Sequence, residues 1–137
     1  MTTLVVDASI AIKWQVQEVL NDEARAVLTR NLDLIAPDFL LLEAANTFWR
    51  KVKRSELLEV HARRHLEELP AYFAELVPTA SLVERALWWG FMLRHPVYDC
   101  LYLALAEQEE AMLITADAKF HAVVSASGRF DRIEILQ

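Results

Sequence analysis

Four acidic residues lie near the junctions between predicted strands and helices: Asp7, Glu43, Asp99 and Asp117. Asp7 and Asp117 each end a short apolar run, TLVVD at 3–7 and AMLITAD at 111–117, that is typical of a buried parallel strand. Glu43 and Asp99 lie in the first turns of later helices. Because ligands of open α/β sheets bind beyond the carboxyl ends of the strands, we expect all four carboxylates to reach one edge of the sheet.

Four converging carboxylates predict a particular chemistry. Two such charges about 4 Å apart repel by about 4 kcal/mol at an effective dielectric of about 20. The four acids can therefore all stay ionised only where a cation neutralises them. Oxygen ligands without His or Cys favour a hard ion, Mg²⁺ or Mn²⁺, over zinc. Such an ion activates water and stabilises charge on a phosphoryl group, so the pattern predicts metal-dependent phosphodiester chemistry without identifying nucleic acid as the substrate.

Each acid taken alone also fits a structural role. Asp7 and Asp117 fit helix N-caps, and Asp99 fits the favourable negative charge of a first helical turn. Glu43 fits a solvated helix position, although its neighbours in FLLLEAA are apolar on both sides. The metal hypothesis therefore depends on the four residues acting together.

The elements that must position these acids follow from the apolar patterns. Strands are predicted at 3–7, 33–37, 74–79, 111–117 and 133–136, and helices at 20–31, 38–54, 55–73, 81–95, 97–110 and 117–127. The helix at 55–73 is expected to begin with Ser55 as its cap and to be interrupted at Pro70. This alternation predicts an α/β fold in which helices cover both faces of a parallel sheet.

Length and composition bound the class of protein. The 137 residues favour one domain spanning 1–137, and 55% hydrophobic residues exclude a disordered chain. No apolar run approaches the ~18 residues of a membrane span, and the start lacks the layout of a signal peptide. The lone Cys100 excludes an internal disulfide and is expected to be a buried apolar residue. We expect a cytoplasmic protein without a membrane partner.

The net charge of −6 argues against a nucleic-acid partner, but the four candidate ligands account for most of it, since the remaining charge is −2. Basic residues also cluster on one predicted helix, at Arg50, Lys51, Lys53 and Arg54. They fit either a track for an RNA backbone beside the site or a solvated helix end whose charges favour the dipole.

Two adjacent tryptophans stand out elsewhere. Trp88 and Trp89 cannot point the same way on a helix, so one of them is expected to face a groove or a partner.

Five segments together resemble a known family. VVDASIAIKW, DEARAVL, LLEAANTFWR, HPVYDCLYLALAE and LITADAKF follow one another in the order and spacing of PIN-domain proteins of the VapC type, which are toxins of toxin–antitoxin pairs. The resemblance covers nearly the whole chain, and HPVYDCLYLALAE is its most specific part. It implies a three-layer α/β/α sandwich around a central, mostly parallel sheet of about five strands.

The resemblance also implies an activity. Members are Mg²⁺- or Mn²⁺-dependent endoribonucleases that usually form homodimers and are silenced by a cognate antitoxin, here one of the VapB type. Asp7, Asp99 and Asp117 would hold the ion, and Glu43 would complete its shell or orient the attacking water. Ser9 and Thr115 would orient the carboxylates. The number of ions, the RNA that is cleaved and the identity of the antitoxin stay open.

Two alternatives compete with this hypothesis. A non-catalytic module of the same fold could bind nucleic acid or a partner protein, although the presence of all four acids argues against it. A phosphoacceptor domain is disfavoured because DAS lacks a second Asp two residues on, and because the final segment FDRIEILQ lacks a Lys.

Overall fold

The computed structural model describes residues 2–137. Its strands are β1 (Thr3–Val6), β2 (Asp33–Pro37), β3 (Glu75–Val77), β4 (Met112–Thr115) and β5 (Ile133–Ile135). Its helices are α1 (Ala8–Ala11), α2 (Asn21–Val27), α3 (Phe39–Lys53), α4 (Glu59–Glu68), α5 (Val83–Leu93), α6 (Val97–Gln108) and α7 (Ala118–Ser127). Short 3₁₀ turns occupy Ile12–Trp14, Leu69–Tyr72 and Thr79–Ser81.

Within residues 2–137 the strands form one five-stranded sheet in the order β3-β2-β1-β4-β5, and every neighbouring pair is parallel. The central strand β1 has Leu4, Val5 and Val6 almost completely buried, as expected when helices cover both faces. The predicted three-layer α/β/α fold is therefore confirmed. From β1 the chain adds β2 and β3 on one side of the sheet, and then β4 and β5 on the other side. The carboxyl ends of β1 and β4 lie side by side at this topological switch point.

Helix α6 forms the centre of the helical packing. Its residues from Cys100 to Ala106 are all buried, and the helix packs against β1, β2, β4 and α5. Such all-round burial explains why this segment is apolar on every side. Cys100 is buried as predicted, and burial raises the pKa of its thiol to about 12.

The prediction for the segment 55–73 was wrong at its start. Helix α4 begins at Glu59, with Leu58 in the cap position, and Ser55 caps nothing. Ser55 instead adopts a left-handed backbone conformation with φ +62°, and the next amide, of Glu56, donates to the carbonyl of Lys51 at 2.8 Å. Ser55 thus ends α3, a position that Gly or Asn usually occupies and that the sequence therefore did not indicate.

Three other helices end at least two residues earlier than predicted. Helix α2 covers Asn21–Val27 rather than 20–31, α5 covers Val83–Leu93 rather than 81–95, and α6 ends at Gln108 rather than at 110. After each of them a residue other than glycine adopts a positive φ: Asn31 at +58°, Arg94 at +53° and Glu110 at +52°. Within residues 2–137, no helix combines the length and the apolar character needed to cross a membrane.

Candidate active site

A cleft of about 630 Å³ opens beyond the carboxyl ends of β1 and β4. Its walls include the four acids predicted from the sequence, Asp7, Glu43, Asp99 and Asp117, together with Ser9, Asn46, Thr47 and Arg50. The expected convergence of the four acids on one edge of the sheet is therefore observed. Within residues 2–137, however, no three acidic, His or Cys side chains form a ready-made metal-binding cluster.

Asp7 is held between the ends of the two central strands. It is the N-cap of α1, and its Oδ1 accepts from the amide of Ser9 at 3.4 Å. Its Oδ2 accepts from the hydroxyl of Thr115 at 2.6 Å. Burial, reinforced by the charge of Asp99, raises the pKa of Asp7 to about 6. Asp7 therefore combines the capping role with a carboxylate that is costly to ionise without a compensating positive charge.

Ser9 and Thr115 connect the loops that follow β1 and β4. The amide of Ala116 donates to Ser9 Oγ at 3.0 Å, and the amide of Asp117 donates to Thr115 Oγ1 at 3.0 Å. Thr115 thus contacts Asp7 directly, while Ser9 fixes the backbone just before Asp117. That both residues orient the carboxylates for a ligand stays a prediction.

Glu43 points from the second turn of α3 into the cleft and is partly buried. The hydroxyl of Tyr102, on α6, donates to its Oε1 at 2.6 Å. Burial raises the pKa of Glu43 to about 7, and the charges of Asp7 and Asp99 act in the same direction. Glu43 is therefore not an ordinary solvated helix residue, which was the alternative interpretation from the sequence.

Asp99 lies in the first turn of α6, where its Oδ2 is 2.6 Å from Nε2 of His95. The imidazole of His95 also packs on Phe120, with ring centroids 4.9 Å apart. The α5–α6 connection packs closely on Gly90, since a Cβ there would lie 3.2 Å from the carbonyl oxygen of His95. His95 and Asp99 are an i, i+4 pair, so their contact spans the start of α6.

Asp117 is the N-cap of α7, and its Oδ1 accepts from the amide of Phe120 at 3.1 Å. It lines the cleft at the same time. Each of the four carboxylates thus has a hydrogen-bond partner of its own. Mutual repulsion favours keeping the carboxylates apart while no cation lies between them.

The four basic residues of the predicted RNA track have different surroundings, because they lie on different faces at the end of α3. Arg50 lines the cleft, two turns beyond Glu43 on the same helix face. Lys51 instead pairs with Glu18, with 2.9 Å between Nζ and Oε2, and Lys53 lies 5.1 Å from the ring centroid of Trp49 in a groove between α3 and α4. Arg54 follows the helix as its exposed C-cap. Because successive helical residues are ~100° apart, a run of adjacent basic residues cannot share one face, and of these four only Arg50 lines the cleft. That the four residues bind an RNA backbone beside the cleft stays a prediction.

The adjacent tryptophans diverge as predicted. Trp89 is 2% exposed and donates from Nε1 to Glu107 Oε1 at 3.1 Å. Trp88 is 38% exposed, and the guanidinium of Arg85 lies 3.9 Å from its ring centroid.

Sequence reasoning missed His95, Tyr102 and Asn46 as residues of the site. His95 precedes Asp99 by four residues, a spacing that signals contact on a helix, but the intervening Pro96 indicated a helix boundary. Tyr102 follows Asp99 by three residues in a run that is typical of core. Asn46 follows Glu43 by three residues on α3, and this i, i+3 spacing was the available signal.

The donors fit a hard divalent cation. The acids of the cleft offer oxygen atoms only, which is the ligand set of Mg²⁺ and Mn²⁺. Two of these acids, Asp7 and Glu43, have raised pKa values because they are buried close to other negative charges. A cation in the cleft would remove that electrostatic penalty.

A parallel sheet with a cleft of carboxylates at its switch point defines a class of α/β domain suited to binding a divalent cation. Within that class, residues 4–125 match the sequence profile of the PIN domain, and the chain belongs to the PIN domain family. The resemblance inferred from the sequence motifs is thereby confirmed.

Relatives of known name cover most of the chain. It is 34% identical over 130 residues to Ribonuclease VapC3 of Pyrobaculum aerophilum, an alignment covering 89% of this chain and 98% of that protein. It is 31% identical over 116 residues to Ribonuclease VapC9 of Mycobacterium tuberculosis, covering 85% and 87% respectively. The crystal structure of PAE2754 from Pyrobaculum aerophilum has the same fold, with a TM-score of 0.68 at 21% identity, over 93% of this chain and 88% of that one.

Proposed function

We propose that this protein is a divalent-metal-dependent endoribonuclease, the toxin of a VapBC-type toxin–antitoxin pair, with Mg²⁺ or Mn²⁺ as its ion. The observation that carries the proposal is the convergence of four carboxylates on one cleft, two of them with raised pKa values. Membership of the PIN domain family, and relatives named as VapC ribonucleases, support the same activity.

The side chains of the cleft have distinct proposed roles. Asp7, Asp99 and Asp117 hold the cation, and Glu43 either completes its shell or orients the attacking water as a base. The bound ion supplies an activated water and stabilises negative charge on the phosphoryl group. Arg50, on the wall of the same cleft, provides a positive charge for a backbone phosphate of the RNA.

Charge removal at two acids tests the activity. Asp7→Asn and Asp99→Asn keep the size of the side chain, and we expect each to lower the rate of Mn²⁺-supported cleavage of end-labelled RNA by at least about 100-fold. The matched control is Asp33→Asn, because Asp33 is an exposed acid at the amino end of β2, away from the cleft. Wild-type rates in both Asn variants of the cleft would refute the assignment.

A non-catalytic module of the same fold is the second candidate function. It is favoured by one observation, the lack of a ready-made three-ligand cluster within residues 2–137. A titration with Mn²⁺ distinguishes the two candidates, because only the nuclease requires the cleft to bind the ion. Saturable binding that is lost in Asp7→Asn supports the nuclease, and RNA binding without Mn²⁺ binding supports the module.

We further propose that the chain forms a homodimer and binds a VapB-type antitoxin in the cytoplasm. An exposed apolar stripe on α5 supports self-association: Val83, Leu87 and Phe91 are spaced four residues apart, and Phe91 is 76% exposed. Light scattering is expected to give twice the 15.7 kDa of one chain, and the mass of a single chain would refute the dimer. A short reading frame directly upstream, whose product co-purifies with this chain, is the expected sign of the antitoxin.

A further inference from the structure

The buried residue Tyr102 joins two walls of the cleft. It is fully buried on α6, one turn after Asp99, and its hydroxyl donates to Glu43 Oε1 on α3 at 2.6 Å. The phenol hydroxyl is the donor in this contact, because an ionised carboxylate only accepts hydrogen bonds.

This hydrogen bond restrains a side chain that would otherwise be mobile. Glu has several rotatable bonds, and ordering it costs more conformational entropy than ordering a shorter acid. Tyr102 engages one carboxylate oxygen of Glu43, which leaves the other oxygen to a ligand in the cleft. The donor comes from a different helix, so the contact also sets how far the α3 wall stands from Asp99 on α6.

Thr115 makes the same kind of contact with Asp7. Its hydroxyl is fully buried, belongs to a different element from the acid, and donates to Asp7 Oδ2 at 2.6 Å. Asp7 and Glu43 are also the two acids of the cleft whose pKa values are raised. A buried hydroxyl donor thus accompanies both carboxylates that are costly to ionise, and it stabilises their charged forms.

We propose that Tyr102 is a positioning residue that presents Glu43 to the divalent cation, an inference that rests on the proposed function. Tyr102 does not contact the ion or the RNA; it acts through Glu43. Tyr102→Phe keeps the size of the ring, so the core stays packed and the change removes only the contacts of the hydroxyl, which are the hydrogen bond to Glu43 and one with the backbone of Ala8. We expect Mn²⁺ to bind that variant about 10- to 100-fold more weakly, as is typical when the partner of a ligand is lost.

The experiment measures free Mn²⁺ by electron paramagnetic resonance during titration of the full chain. The matched control is Tyr72→Phe, because Tyr72 packs on Trp14, with ring centroids 5.0 Å apart, outside the cleft. Wild-type affinity in that control shows that the loss of a tyrosine hydroxyl does not by itself affect binding. Metal-free melting temperatures of all variants are recorded in parallel.

A double-mutant cycle shows whether Tyr102 acts through Glu43. If it does, adding Tyr102→Phe to Glu43→Gln changes the Mn²⁺ affinity by less than about twofold, since the two effects are not additive. An equal loss in both backgrounds would overturn the inference, as would wild-type affinity in Tyr102→Phe. In either of these cases the proposed nuclease still stands, whereas absence of Mn²⁺ binding to the wild type would overturn the proposed function itself.

Discussion

Replacing Asp7 by Asn is expected to stabilise the metal-free protein at alkaline pH. Burial and the nearby charge of Asp99 raise the pKa of Asp7 from 3.8 to about 6. An acid with a higher pKa in the folded protein than in the unfolded chain binds its proton more tightly when folded. Ionised Asp7 therefore lowers the free energy of unfolding, by an amount that grows as the pH rises from about 4 to about 6 and is complete above about pH 7.

The size of this effect follows from the two pKa values. They differ by about 2, and each pKa unit corresponds to about 1.4 kcal/mol, so ionised Asp7 costs about 3 kcal/mol above pH 7. Asn carries no charge and keeps an acceptor oxygen for Thr115 or for the amide of Ser9. We expect Asp7→Asn to raise the free energy of unfolding by about 2–3 kcal/mol at pH 8, and by less than about 1 kcal/mol at pH 4.

Urea and thermal unfolding, followed by circular dichroism in the presence of EDTA, measure the effect at both pH values. A gain of that size raises the melting temperature at pH 8 by roughly 6–12 °C. Asp33→Asn, at an exposed acid, is the control and is expected to change neither value. If Asp7→Asn is no more stable than the wild type at pH 8, or gains as much at pH 4, the reasoning about buried charge is wrong.

Three further predictions concern the same cleft. Mn²⁺ at about 100 times its dissociation constant should raise the wild-type free energy of unfolding by about 2.7 kcal/mol, and should not stabilise Asp7→Asn in a thermal-shift assay. Thr115→Val removes the donor to Asp7, so urea unfolding at pH 8 should show a loss of about 1–3 kcal/mol that shrinks at pH 4. Arg50→Ala should lower the salt dependence of RNA binding by about one charge in a filter-binding assay, whereas Lys53→Ala should leave it unchanged, and equal effects would support RNA binding by the wider basic cluster.

The sheet could be predicted because its strands are short apolar runs buried on both faces. Such runs require helices above and below, and this requirement limits the topology. The start of α4 could not be predicted, because the left-handed turn at Ser55 depends on a backbone bond from Glu56 to Lys51 rather than on a turn-forming residue type. Local backbone hydrogen bonds at the end of α3 thus prevailed over the capping preference of serine there.

The four acids could be placed because each adjoins the end of an element, where topology determines position. The donor to Glu43 could not, since Tyr102 lies 59 residues from Glu43 and reads as a core residue in an apolar run. The contacts of the basic residues could not be predicted either, because α3 turns Lys51 towards Glu18, which is distant along the chain, and Lys53 towards Trp49.

The single buried thiol gives this protein a built-in reporter. Cys100 follows Asp99 directly on α6, is the only cysteine of the chain, and is sealed between that helix and its neighbours. A water-soluble disulfide reagent can react with it only after α6 has moved away from the sheet. The rate of labelling in the unmodified protein therefore reports how often the helix that bears Asp99 opens, and comparing that rate with and without Mn²⁺ would show whether a cation bound in the cleft keeps α6 closed.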